Sequence, residues 1–221
     1  RQRSTHSAFR WQDKAADLAA AQRESAATHG AFIVNMASTG CGKTLANAKV
    51  MHALADPVRG MRCAFAMGLR TLTLQTGRAF RALFEHYEAQ AEATGSASRQ
   101  DLLDEFAQVE GIEGNEDAHP LLSRVTRDAK VRQLLAAPLL VCTIDHLVPA
   151  TESQRGGRQI APMLRLMSSD LVLDEPDDFD LGDLPALGRL VHWAGLLGSR
   201  VLLSSATLAP ALVQGLFEAY L

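Results

Sequence analysis

The sequence predicts an α/β domain: a mostly parallel sheet with helices on both faces. Three observations carry this. Short apolar runs at 31–36, 62–68, 139–144, 170–175 and 201–206 alternate with helical patterns. The loop ASTGCGKT (37–44) joins one such run to a helix. Apolar residues make up 47% of the 221 residues and aromatics only 5%, which suits Ala- and Leu-rich helices laid over a sheet.

Taken in order, WQDKAADLAAAQ (11–22) reads as a helix. AFIVNM (31–36) is β-compatible and ends at the glycine-bearing loop. GKTLANAKVMHALA (42–55) is the next helix, closed by Asp56-Pro57. RCAFAMG (62–68) reads as the second strand, and TLTLQTGRAFRALFEHYEAQ (71–90) as a helix with Gly77 its weak point. From 94 to 137 the chain turns polar, with TGSAS and GIEGNEDAHP. A helical insertion on the domain surface is expected there, with helices near 99–109 and 120–135. LLVCTI (139–144) is a third strand, RGGR (155–158) a loop, DLVLDE (170–175) a fourth strand and VLLSSA (201–206) a fifth. LPALGRLVHWAGLL (184–197) reads as a helix between the last two, with Asp183 as its N-cap. Residues 1–221 thus read as a single lobe carrying an insertion at about 94–137. The chain begins at Arg1 and stops at Leu221 within a helical pattern, so a piece of a longer protein is expected.

The formal net charge of −3 argues against a generic basic nucleic-acid binder. It leaves room for a local site of backbone amides and a few arginines. The three cysteines, Cys41, Cys63 and Cys142, are far apart and make no zinc spacing. A reducing, cytoplasmic setting is expected. No apolar run approaches the roughly 18 residues of a membrane span, and no signal peptide is evident, so no membrane partner is expected.

The loop at 37–44 is close to the phosphate-binding pattern G-x-x-x-x-G-K-[ST], with Ala37 at the first glycine. Such a loop needs a strand, exposed successive N–H groups, then a helix start whose dipole holds an anion. AFIVNM and the run from Gly42 supply both flanks. Gly40 and Gly42 let the backbone approach phosphate. Lys43 is placed to reach the β- and γ-phosphates of ATP, and Thr44 to put its hydroxyl on Mg²⁺. LVLDEPD (171–177) puts carboxylates at a strand tip: Asp174 fits a Mg²⁺ ligand, Glu175 the base that polarises water. Asp178 and Asp180 read as turn residues.

The pattern A-x-T-G-x-G-K-T, matched by Ala37, Thr39, Gly40, Gly42, Lys43 and Thr44, resembles the phosphate loop of superfamily 2 helicases. That resemblance implies a RecA-like P-loop NTPase fold and further motifs in order. Ser205-Ala206-Thr207 resembles the segment coupling hydrolysis to nucleic acid, with its hydroxyls facing carboxylates near Asp177. Gln12 in FRWQ (9–12) is placed to read adenine; the alternative is an exposed Gln at a helix start. GLRTLTLQT (68–76) and CTIDHL (142–147) resemble nucleic-acid-contact segments, with Arg70, Thr71 and Thr143 as the candidates. Cys41 lies inside the loop at a helix N-terminus, a setting that can lower a thiol pKa. It is either an alkylation site that ATP protects or a tolerated small residue. RVTRDAKVR (124–132) is either a DNA- or partner-binding face or a solvated one.

The longer phrases AFIVNMASTGCGKTLANAKVMHAL, LVLDEPDDFDLGDLPALGRLVHWAGLLGSRVLLSSATL and FRWQDKA resemble the helicase part of the helicase–nuclease of type I-F CRISPR systems, which is fused to the adaptation protein Cas-two. The resemblance runs from Phe9 to the end. It implies the first RecA-like lobe of an ATP-driven 3′-to-5′ translocase on single-stranded DNA. It also implies recruitment by an RNA-guided surveillance complex, an HD nuclease that shreds the displaced strand, contact with the adaptation integrase through the parent chain, and phage anti-CRISPR inhibitors as partners. Two departures limit this. The seven histidines include no His-Asp dipeptide, Asp145-His146 being reversed, so no nuclease site is expected within these residues. No second lobe or arginine finger is expected within residues 1–221, so the segment alone is expected to hydrolyse ATP poorly. The rival readings are a lobe of a DEAD-type RNA helicase and a nucleotide-gated docking module whose insertion at 94–137 binds a protein.

Overall fold

The computed structural model describes residues 3–68, 106–108, 135–152 and 159–221. Six parallel strands form one sheet. They are β1 (Ala31–Asn35), β2 (Cys63–Met67), β3 (Phe106–Gln108), β4 (Leu139–Thr143), β5 (Asp170–Asp174) and β6 (Arg200–Ser204), in the order β1-β6-β5-β2-β4-β3. The helices are α1 (Arg10–Ala21), α2 (Arg23–His29), α3 (Lys43–Leu54), α4 (Ile160–Met167), α5 (Leu184–Leu196) and α6 (Pro210–Tyr220).

The central strands are buried on both faces, as helix-covered parallel strands must be. β2 is buried throughout. Because alternate residues face opposite sides, the sheet divides two cores. Ala64, Ala66, Leu171, Leu173, Val201 and Leu203 meet Leu187, Leu190 and Val191 of α5. Cys63, Phe65, Met67, Val172 and Leu202 meet Val50, Met51 and Leu54 of α3. Burial pushes the Cys142 thiol up to about 12 and the Cys63 thiol in the same direction, so both behave as small apolar core residues.

The parallel registers bring the strand ends level. Asn35 pairs Ser204, Ser204 pairs Asp174, Asp174 pairs Met67, and Met67 pairs Thr143. This row is the C-terminal edge of the sheet, where open α/β folds place their sites.

Several expectations change. The helix read over 11–22 breaks after Ala21, where Gln22 leaves helical geometry and α2 begins. The short helix α4 was not read from the sequence. Residues 106–108 form β3 beside β4, inside the stretch expected to be helical at 99–109; pairing with the outer edge of β4 overrides local helical preference. Asp183 stands at the N-cap of α5, but its side chain does not cap. Its ψ of −18° is helical, so its carbonyl accepts from Ala186 and Leu187 instead. The helix expected at 71–90, the second insertion helix except for its last residue, and the loop 155–158 lie outside the described residues. Phe217 meets Phe32 at 5.4 Å between ring centres, although Phe217 and Trp193 are each more than a third exposed.

The return from the insertion is held by two arginines. Arg165 of α4 is fully buried, and its guanidinium donates to the carbonyls of Ala137, Cys63 and Pro138. Arg62 donates to the carbonyls of Leu135, Ala136 and Ala137. Four consecutive carbonyls before β4 thus find charged donors. Burial pulls Arg165 down to about 9, still protonated at neutral pH.

Candidate functional site

β1 delivers the chain to the loop 37–42, and α3 starts at Lys43. Gly40 and Gly42 both take positive φ, 77° and 81°. That left-handed geometry is costly with a side chain, and at Gly42 a Cβ would also stand 2.6 Å from Gln12 Nε2. Thr39 and Gly40 are exposed, while Cys41 and Thr44 are half-buried. The Cys41 thiol donates to the Ser38 carbonyl at 2.7 Å.

Lys43 is the first residue of α3, and its Nζ lies 2.7 Å from Glu175 Oε1. Glu175 follows β5 with φ 51° and ψ 57°, the one described non-glycine residue in the left-handed region. Its amide donates to Ser204 O at 2.7 Å, which holds the turn against β6. Such geometry stores strain of order 1 kcal/mol or more and persists only where neighbours enforce it.

Asp174 ends β5, and its Oδ1 is buried without a hydrogen-bond partner. Burial is the largest influence on this carboxyl and pushes it up; the Ser204 hydroxyl pulls it back, Glu175 adds to the rise, and Lys43 opposes it. A buried carboxylate oxygen without a partner and the Thr44 hydroxyl in the first turn of α3 are the hard oxygen donors that Mg²⁺ prefers. Asp174 and Thr44 therefore fit such an ion. Among the described residues no cluster of three His, Cys, Asp or Glu side chains forms a separate metal site.

The turn after β6 comes to the same edge. Thr207 Oγ1 donates to Asp177 Oδ2 at 2.6 Å, and Thr207 N donates to Ser205 Oγ at 3.2 Å. Burial works to raise the Asp177 carboxyl, but the Ser205 and Thr207 hydroxyls outweigh it and hold the group below its ordinary value.

Gln12 is not the exposed residue of the alternative reading: it is 1% exposed. Its Nε2 donates to the carbonyls of Cys41 at 3.3 Å and Gly42 at 3.1 Å, and its Oε1 is buried without a partner. Thr143 closes β4 on the same edge. Arg70 and Thr71 lie outside the described residues.

Sequence reasoning missed the residues that brace this site. Asn35 Nδ2 donates to the fully buried Asn47 Oδ1 at 2.7 Å, and Asn35 O accepts from Ser205 N at 3.2 Å. Lys49 of α3 bonds Asp13 of α1 at 2.9 Å and Ser4 at 3.0 Å, which fixes the Gln12 helix against α3. Two asparagines and a Lys/Asp pair, distant in sequence, carry no motif.

A parallel sheet that gathers a phosphate loop, a carboxylate turn and an S-A-T turn on one edge is a RecA-like α/β domain. Solved structures share the fold. The crystal structure of T. fusca Cas3 with ATP aligns with TM-score 0.64 and 20% identity over 93% of this chain and 22% of that one. The Mycobacterium smegmatis helicase Lhr, bound to ssDNA and AMP-PNP, aligns with TM-score 0.55 and 22% identity over 94% of this chain and 26% of that one.

Within that class, the chain belongs to the helicase part of the CRISPR-associated nuclease/helicases Cas3 of subtype I-F/YPEST. It is 59% identical over 232 aligned residues to the protein of Pseudomonas aeruginosa (strain UCBPP-PA14), covering 96% of this chain. It is 53% identical to the protein of Pectobacterium atrosepticum over 100% of this chain. The chain spans 22% of the length of each of these relatives. No protein-family model matches it.

Proposed function

We propose that this chain is the ATP-binding motor lobe of a single-stranded-DNA translocase. In the full-length parent it unwinds target DNA and feeds it 3′-to-5′ to an HD nuclease in type I-F CRISPR interference. One observation carries the reading: Lys43 Nζ and Glu175 Oε1 meet at 2.7 Å beside the orphaned Asp174 Oδ1. A cation for phosphate, a base for water and a free ligand oxygen for Mg²⁺ stand at one helix start.

In this reading the loop amides at 39–42 and Lys43 bind the phosphates of ATP, and Gln12, whose Nε2 holds the Cys41 and Gly42 carbonyls, offers its partnerless Oε1 to the adenine. Asp174 and Thr44 hold Mg²⁺, which when bound neutralises phosphate charge. Glu175 orients the attacking water and takes its proton. Asp177, Ser205 and Thr207 couple that event to DNA held by Arg70, Thr71 and Thr143. Nucleotide binding draws this lobe toward the second, and hydrolysis releases it. Hydrolysis in this reading needs an arginine from a second lobe, so residues 1–221 on their own are expected to turn over slowly. The solved structures of T. fusca Cas3 with ATP, ADP and AMPPNP support nucleotide as ligand. Lhr with ssDNA supports the strand, and a similar chain in a CRISPR RNA-guided surveillance complex (TM-score 0.56) supports that complex as recruiting partner. The adaptation integrase and phage anti-CRISPR inhibitors are further partners that this reading proposes for the parent.

Displacement of streptavidin from biotinylated single strands by the full-length parent tests the motor. ATP-dependent release from the 5′ end alone is expected. Release from neither end, with ATP hydrolysed, would leave a docking ATPase in place of a translocase.

A further inference from the structure

The five residues 175–179 contact three different parts of the sheet edge. Glu175 holds Lys43 of the phosphate loop. Asp177 accepts from Thr207 after β6. Phe179 reaches the other way, across β5 to β2. A Cβ built on Gly68 would stand 3.4 Å from the ring's Cζ and 3.6 Å from both Cε atoms, so the ring tip covers the backbone just past Met67. Phe179 is half-buried, and its body packs on the core between the sheet and α5.

We infer that Phe179 is a positioning residue that carries the state of the acidic turn to the outlet of β2. This rests on the motor reading above. The physical basis is the shortness of the turn. Pro176–Asp178 is a single 3-10 turn, begun by the left-handed Glu175 and braced by the Glu175 amide on Ser204. Pro176 has a fixed φ and no N–H. A change at Glu175, such as release of Lys43 to phosphate, has few soft torsions to absorb it before Phe179. Gly68 offers the ring no side chain to slide past. It is also the first residue of the 68–76 segment, which the motor reading assigns to nucleic acid. A shift of the ring therefore re-aims the start of that segment. Phe179 has no acid–base or ligand group and is not a catalytic residue.

The test uses the full-length parent, with ATP hydrolysis measured without and with single-stranded DNA for wild type, Phe179→Ala, Phe179→Leu and Phe179→Tyr. Phe179→Ala is expected to lower the DNA-stimulated kcat roughly tenfold, the scale of a coupling change, while KM for ATP and the DNA-free rate stay within about twofold. Phe179→Leu, which keeps the core contact but not the ring tip, should show an intermediate loss. Phe179→Tyr, which keeps the ring, should restore the wild-type response. A Phe179→Ala protein stimulated as strongly as wild type would overturn the inference. So would a parallel fall of DNA-free and DNA-stimulated rates across the series, the mark of a purely structural residue. If Phe179→Ala does not fold, an undiminished response in Phe179→Leu overturns it equally. Wild-type turnover indifferent to DNA would instead overturn the motor reading, and this inference with it.

Discussion

Glu175 is bonded through its backbone to β6 and through its side chain to Lys43, in a conformation that favours glycine. In the motor reading the Lys43–Glu175 pair opens for Lys43 to reach a phosphate. Glu175→Gln in the full-length parent should keep nucleotide binding and lower turnover by about 10²-fold or more, the usual worth of a general base; equilibrium binding of AMP-PNP and steady-state hydrolysis separate the two. Asp177 gives a pH prediction. Its folded carboxyl lies below the ordinary 3.8, so its contribution is present above that value and lost as pH falls through the folded pKa. Urea unfolding of this chain at stepped acid pH should therefore show a gentler loss of stability in Asp177→Asn than in wild type. At this scale the sequence was legible wherever chemistry is local. Lys43, Asp174 and Glu175 sit in contiguous motifs. The engagement of Gln12 with the loop carbonyls was not legible, because it depends on how α1 docks on α3 through Asp13 and Lys49.

Elements were legible where an apolar run is bounded by polar or glycine-bearing segments, as at β1, β2 and β5. β3 was not, because three residues carry no periodicity and only β4 makes them a strand. α4 was missed for a related reason: it is eight residues long, and the arginine that reads as a polar interruption is its most buried member. Arg165 cannot be recognised as a core residue until its carbonyl partners are in place. Replacing it with Ala should cost about 3 kcal/mol or more, since buried carbonyls lose charged donors; urea unfolding of the chain measures this. The seam between α5 and α6 is equally tight. A Cβ on Gly195 would stand 2.0 Å from the Tyr220 carbonyl oxygen, a backbone atom that cannot step aside alone. Gly195→Ala should destabilise by about 1–3 kcal/mol, as overpacking does, with a matching drop in Tm.

Across the whole molecule, the alternation of strands and helices gave the parallel sheet, but the strand order β1-β6-β5-β2-β4-β3 is written in no single segment. That order places the phosphate-loop strand beside the S-A-T strand, and that beside the carboxylate strand. Motifs some 130 residues apart thereby share one edge, with Lys43 bonded to Glu175. The motor reading needs this convergence to respond to DNA. The most direct test is ATP hydrolysis by the full-length parent, alone and then with single-stranded DNA or RNA of matched sequence, for wild type and Lys43→Ala. Stimulation by DNA alone, abolished in Lys43→Ala, is the predicted result. Stimulation by RNA in its place, or a DNA response that survives Lys43→Ala, would contradict the account.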